Sequence, residues 1–133
     1  MQGKSFQLAV LAVIFGVNVG GQSRGAPGSV TFFSARDGNN EIYVMDPDGG
    51  QVRRITENAF SDMDPDISTN GQDIVFTSNR AGNNDIFIVD SAGGPPENLT
   101  EIPDKAFNDG WARWSPDGHQ IVFHSNRTGN FRL

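Results

Sequence analysis

Val30-Thr-Phe-Phe-Ser-Ala-Arg36-Asp-Gly-Asn-Asn-Glu-Ile-Tyr-Val-Met-Asp46 is the stretch on which the reading of this chain turns. It returns 44 residues later as Ile74-Val-Phe-Thr-Ser-Asn-Arg80-Ala-Gly-Asn-Asn-Asp-Ile-Phe-Ile-Val-Asp90. After a further 47 residues it opens again as Ile121-Val-Phe-His-Ser-Asn-Arg127-Thr-Gly-Asn130. Self-similarity at a fixed period of this size decides architecture before local propensity is consulted. The second spacing is longer by three residues, which fit between Thr100 and Phe107.

Within each copy, runs of four to six residues rich in Val, Ile, Phe and Tyr are separated by Gly, Asn, Asp or Pro clusters, which is the pattern of strands and tight turns. The middle copy shows four predicted strands, at Asp66–Ser68, Ile74–Ser78, Asp85–Asp90 and Asn98–Thr100. Ser115-Pro116-Asp117-Gly118 places Pro and Gly where a type I turn wants them, and Asn70-Gly71 fills the same place one copy earlier. Gly49-Gly50 and Gly93-Gly94 turn the chain at matching positions, so successive strands are antiparallel neighbours. A four-stranded antiparallel unit repeated in tandem is the signature of a β-propeller blade. One such sheet cannot bury both faces, so Phe32, Phe76, Phe123 and the pairs Ile42/Val44 and Ile86/Ile88 require an adjacent blade. The expected fold is all-β: a partial propeller of about two and a half blades, with repeats at 30–73, 74–120 and 121–133 after a leader at 1–29.

These units resemble the TolB-like, WD-repeat-like propeller repeat. The resemblance rests on Ile74-Val75-Phe76-Thr77-Ser78-Asn79-Arg80, Glu41-Ile42-Tyr43-Val44-Met45-Asp46, Asp48-Gly49-Gly50, Leu99-Thr100 and Trp114-Ser115-Pro116-Asp117-Gly118. It covers residues 30 to about 130. It implies a ring of about six blades, of which this chain is an N-terminal fragment. It also implies an α/β domain between leader and propeller in TolB proper, where here the leader runs straight into a blade.

The leader has one Lys at position 4, an apolar run from Leu8 to Val17 and a Gly/Ser-rich stretch to Ser29, the order of a secretory signal. Its apolar run covers roughly half of the ~30 Å hydrocarbon layer, so it reads as an export signal, giving a periplasmic or secreted protein. The alternative is an uncleaved membrane anchor. Zero Cys among 133 residues excludes a disulfide framework, a thiolate metal site and a cysteine nucleophile. The formal net charge is −6, and all sixteen acids lie beyond residue 30, which argues against a nucleic-acid partner.

Candidate chemistry is sparse. Asp62, Asp64 and Asp66 alternate like the opening of a calcium loop, but Ile67 stands where that loop needs Gly and Asp73 where it needs Glu. Turn capping and inter-blade hydrogen bonding fit them better than calcium, and no other cofactor is implied. Arg36, Arg80 and Arg127 follow Ser34, Ser78 and Ser125 by two residues in all three copies, so they are expected to serve the blade, each guanidinium tying its loop to a carboxylate such as Asp62 or Asp109. Trp114, Pro116, Asp117 and Gly118 belong to the same structural repeat. Trp111 and Trp114 are read as blade core. His119 and His124 fall on opposite faces of a hairpin, which disfavours a shared metal. There is no nucleophile elbow, dinucleotide fingerprint or P-loop.

The expected function is an exported, non-enzymatic scaffold for protein–protein interaction, acting through the rim segments Ala35–Asn40, Ala81–Asn84 and Asp104–Gly110. The resemblance implies a cell-envelope protein partner such as a peptidoglycan-associated lipoprotein, and the unpaired blade edges imply self-association. The alternatives are the propeller portion of an exported prolyl-oligopeptidase-like serine peptidase and a carbohydrate-binding or lyase propeller.

Overall fold

The structure, a computed structural model, describes residues 10–11, 28–103 and 107–127. Every regular element in it is a strand: β1 (Val10–Leu11), β2 (Val30–Ser34), β3 (Glu41–Met45), β4 (Arg53–Arg54), β5 (Asp62–Ile67), β6 (Asp73–Ser78), β7 (Asp85–Asp90), β8 (Glu97–Asn98), β9 (Asp109–Trp114) and β10 (Ile121–Ser125). They form three antiparallel sheets, ordered β2-β3-β4, β5-β6-β7-β8 and β1-β10-β9. The described residues are all-β, and among them no helix is long and apolar enough to cross a membrane.

The middle sheet is a complete four-stranded unit. Its strands β5 to β8 run in sequence order, so each pair is a hairpin closed by a short turn. The turns repeat in detail. Gly71 donates its N–H to Ser68 O at 2.8 Å and Gly118 donates to Ser115 O at 2.9 Å. Both glycines adopt φ near 70°, where a Cβ would be strained. Gly49 and Gly93 donate in the same way to Asp46 and Asp90. Sheet boundaries are displaced from repeat boundaries, since β5 precedes the Ile74 start of the second copy yet hydrogen-bonds into the sheet of that copy.

Two apolar clusters cover the two faces of the middle sheet. Ile74, Phe76, Phe87 and Val89 meet Ile42, Val44 and Ile55 of the first sheet. Val75 and Ile86 meet Ala112, Ile121 and Phe123 of the third, with Ile88, Leu99 and Trp114 packed at the margin. Alternate residues of β6 therefore point into different interfaces, which is why Ile74, Val75 and Phe76 are apolar in succession. Each fully buried Ile, Val or Phe contributes about 1.5–3 kcal/mol of transfer free energy, and none of it is available to a sheet standing alone.

Three expectations are corrected. The first strand of the complete unit is Asp62–Ile67 rather than Asp66–Ser68, because a β-bulge between Met63 and Asp66 lets pairing with β6 continue. The last strand is Glu97–Asn98 rather than Asn98–Thr100. Trp111 is 63% exposed, not core, and lies parallel to the His124 ring at 5.2 Å. Its backbone explains this. Trp111 occupies the bulge position equivalent to Asp64, with φ of 54° against 53°, and the bulge turns its side chain off the packed face. Most of the leader lies outside the described residues. Val10 and Leu11 pair with Val122 and Ile121 on the outer edge of β10.

Candidate functional site

One rim of the sheets is built from the β2–β3 and β6–β7 turns and from the loops that enter β5 and β9. The same atoms hold it in successive copies. Asp62 N–H donates to Asn40 O at 2.9 Å, and Asp109 N–H donates to Asn84 O at 2.7 Å. Asn79 Oδ1 accepts from Ser61 N–H, and its equivalent Asn126 Oδ1 accepts from Asn108 N–H. Asn39 Nδ2 donates to Phe60 O, and Asn83 Nδ2 donates to Phe107 O. Each turn thus grips the strand that opens the next sheet, and the rim is a chain of side-chain-capped loops on a rigid support.

Behind the rim sit buried carboxylates, which are costly unless paired. Arg80 Nη2 reaches Asp62 Oδ2 at 2.7 Å, and Arg127 Nη2 reaches Asp109 Oδ2 at 2.7 Å. Each arginine also meets the serine two residues before it: Arg80 donates Nε–H to Ser78 Oγ at 3.0 Å, and Arg127 donates its backbone N–H to Ser125 Oγ at 3.3 Å. The guanidiniums lie over aromatic rings, Arg80 on Phe76 and Phe87 and Arg127 on Phe123. Arg36 keeps the serine contact, with Nε–H donated to Ser34 Oγ at 3.2 Å, and the rings, lying 5.2 Å from Phe32 and 4.8 Å from Tyr43. Among the described residues no carboxylate pairs with it.

A second row of acids escapes sequence reasoning. Glu41 is fully buried and accepts from Thr56 Oγ1 at 2.5 Å, Asn58 N–H at 2.8 Å and Arg54 Nη2 at 3.2 Å. Asp85, one repeat on, accepts from Asn83 Nδ2 and Asn98 Nδ2. Thr56 and Thr100 accept the N–H of Ile42 and Ile86. The available signal is the offset of 44 shared by Asn39/Asn83, Glu41/Asp85 and Thr56/Thr100. Burial by itself lowers the pKa of Arg54, yet its hydrogen bond to Glu41 and the charges of Glu41 and Glu57 hold it above the ordinary value. The Tyr43 hydroxyl donates to Asp37 Oδ2 at 2.5 Å, and that bond, with burial and the Asp37 charge, raises the pKa of the phenol.

The three acids read as a possible calcium loop are not gathered. Asp62 faces Arg80, Asp64 sits at the bulge, and Asp66 Oδ2 accepts the Trp114 N–H at 2.7 Å. Among the described residues no cluster of three potential metal ligands occurs. On the opposite rim, Pro116, Asp117 and Gly118 form the β9–β10 turn. Ser115 Oγ–H and the His119 N–H both donate to Asp117 Oδ1, which lowers the pKa of that carboxyl. A cleft of about 290 Å³ opens beside it, lined by Asn70, Gln72, Trp114 and His119. Of the rim segments expected to carry function, residues 35–40, 81–84 and 107–110 surround the carboxylates, and residues 104–106 lie outside the described residues.

Residues 7–133 match the family model described as the TolB beta propeller domain. A stretch of 47 residues is 45% identical to the Tol-Pal system protein TolB of Geobacter sulfurreducens, covering 35% of this chain and 11% of that protein. The protein of the same name from Geobacter metallireducens is 38% identical over 47 residues, with the same 35% and 11% coverage. Among solved structures, one assigned to TolB of Agrobacterium tumefaciens superposes with a TM-score of 0.67 at 34% identity, covering 76% of this chain and 36% of that one. TolB from Acinetobacter baumannii gives 0.63 at 25% identity, covering 80% and 27%. The chain spans about a tenth of the curated relatives' length and about a third of these solved chains. The repeated strands, the glycine turns and the Ser-x-Arg clip are thus found on a chain that belongs to the TolB beta-propeller domain family.

Proposed function

We propose that this chain is an exported, non-enzymatic propeller scaffold whose rim, at residues 35–40, 81–84 and 104–110, binds a protein of the cell envelope. The observation that carries the reading is that the buried acids with most capacity for chemistry are committed to holding loops. Asp62 and Asp109 are tied by Arg80 and Arg127, Glu41 by Thr56 and Arg54, and Asp85 by Asn83 and Asn98. A rim so braced presents preordered loops for docking, which lowers the ordering cost of association. The relatives named as Tol-Pal system proteins support an envelope setting, and with it a partner such as a peptidoglycan-associated lipoprotein.

Titration of the purified full chain with a peptidoglycan-associated lipoprotein tests this. Saturable binding is expected, and replacing Asp37, Asn40 and Ala81 together by Arg should abolish it. No binding, or binding indifferent to the rim substitutions, would refute the reading.

A further inference from the structure

The turn between β5 and β6 carries Asn70-Gly71, the one Asn-Gly pair among the 133 residues. This pair is chemically the least durable in a polypeptide, because glycine puts no side chain in the way of its own amide nitrogen attacking the preceding carboxamide carbon. In the folded turn both reacting groups are held. Gly71 N–H donates to Ser68 O at 2.8 Å, and Gly71 adopts φ of 71°. Asn70 Oδ1 accepts from Ser68 Oγ–H at 2.7 Å and from Gln72 N–H at 3.0 Å. Ser68 Oγ in turn accepts from Asp73 N–H at 2.9 Å, and Ser68 is buried while Asn70 is exposed. The equivalent turn one copy on holds an aspartate in the same place. Asp117 Oδ1 accepts from Ser115 Oγ–H and His119 N–H, Gln120 N–H donates to Ser115 Oγ, and Gly118 N–H donates to Ser115 O.

We propose that Asn70 is a site of spontaneous deamidation that folding keeps closed, so that the modification records opening of the β5–β6 turn. The Gly71 nitrogen gives up its proton to solvent base and attacks Asn70 Cγ. A C–N bond forms, Nδ2 leaves as ammonia, and water then opens the cyclic imide to aspartate or isoaspartate. The first step requires release of the Gly71 N–H from Ser68 O, hence loss of the turn. Its rate falls about tenfold for each ~1.4 kcal/mol that opening costs. The two products differ in consequence. Aspartate reproduces the Asp117 turn bond for bond. Isoaspartate lengthens the main chain between residues 70 and 71, which breaks the bond from Ser68 N–H to Asp73 O and with it the adjoining pairing of Ile67 with Ile74.

Mass mapping of the full chain, incubated at mildly alkaline pH beside a free peptide of residues 67–74 (Ile-Ser-Thr-Asn-Gly-Gln-Asp-Ile), tests this. Deamidation at Asn70 is expected to be slower in the chain than in the peptide by about a hundredfold or more. Ser68→Ala removes the hydroxyl that Asn70, Gln72 and Asp73 share, and should raise the rate in the chain by about tenfold while leaving it below that of the peptide. Asn70→Asp should keep the Gly71 N–H as slow to exchange as in the unaltered chain. Equal rates in chain and peptide, no acceleration in Ser68→Ala, or fast Gly71 exchange in Asn70→Asp would each overturn the proposal. If Ser68→Ala fails to fold, urea below the unfolding transition decides the matter. Deamidation and Gly71 amide exchange in the unaltered chain must then rise in parallel, and a deamidation rate indifferent to urea overturns the proposal.

Discussion

Arg80 shows how much one residue carries. Its guanidinium lies over Phe76 and Phe87, donates to Ser78 Oγ, and neutralises Asp62, whose side chain is fully buried. Removing the cation leaves a charged carboxylate out of water with only the neutral Asn58 amide donating to it, which costs far more than the pair itself is worth. Arg80→Ala is expected to destabilise the chain by about 3–5 kcal/mol in urea unfolding. Arg127→Ala should cost less, because the Arg127 side chain is about twice as exposed as that of Arg80. The arginine–serine spacing and the candidate partners Asp62 and Asp109 were legible in sequence, because each recurs in register with the repeat. The buried Glu41 was not. An acid in a strand between Asn40 and Ile42 looks like a solvent-facing residue until Thr56 and Asn58 are brought beside it from 15 and 17 residues away.

At the scale of the element, the first strands β5 and β9 are the least orthodox parts of the fold. Each bulges at an L-residue with positive φ, Asp64 in one and Trp111 in the other, a conformation that costs roughly 1–2 kcal/mol per residue without glycine. The two strands touch through this region: Arg113 Nη1–H donates to Asp64 O and Trp114 N–H donates to Asp66 Oδ2. Since the hydrogen bond at Asp64 is made by its backbone, Asp64→Gly should relieve strain without losing it. The expected outcome is unchanged or raised stability, by up to about 1 kcal/mol in thermal unfolding. A loss above that range would show that the Asp64 side chain has a role of its own. The bulge also explains why strand prediction began β5 four residues late. Asp-Met-Asp-Pro-Asp has almost no strand propensity, and it is extended because β6 offers it a ladder.

For the whole molecule, stability resides in two interfaces that share one sheet. Phe76 lies in the cluster joining the first and middle sheets, and Phe123 in the cluster joining the middle and third. Nearest-neighbour coupling of this kind predicts unequal consequences for similar truncations. Phe76→Ala should cost about 3–5 kcal/mol and raise amide exchange in β3, β6 and β7 together. Phe123→Ala should release β9 and β10 while residues 41–45 stay protected, and uniform loss of protection would contradict this. The sequence alone was enough to establish strands, turns and tandem sheets, because short apolar runs buried on both faces and punctuated by glycine turns, repeated in tandem, need sheets stacked on one another to satisfy backbone and side chains at once. It could not establish which carboxylate meets which arginine, that Trp111 faces outward, or that Glu41 is buried. Those depend on positions that converge only when sheets stack, and a bulge or a missing neighbour changes them without changing a single residue of the repeat.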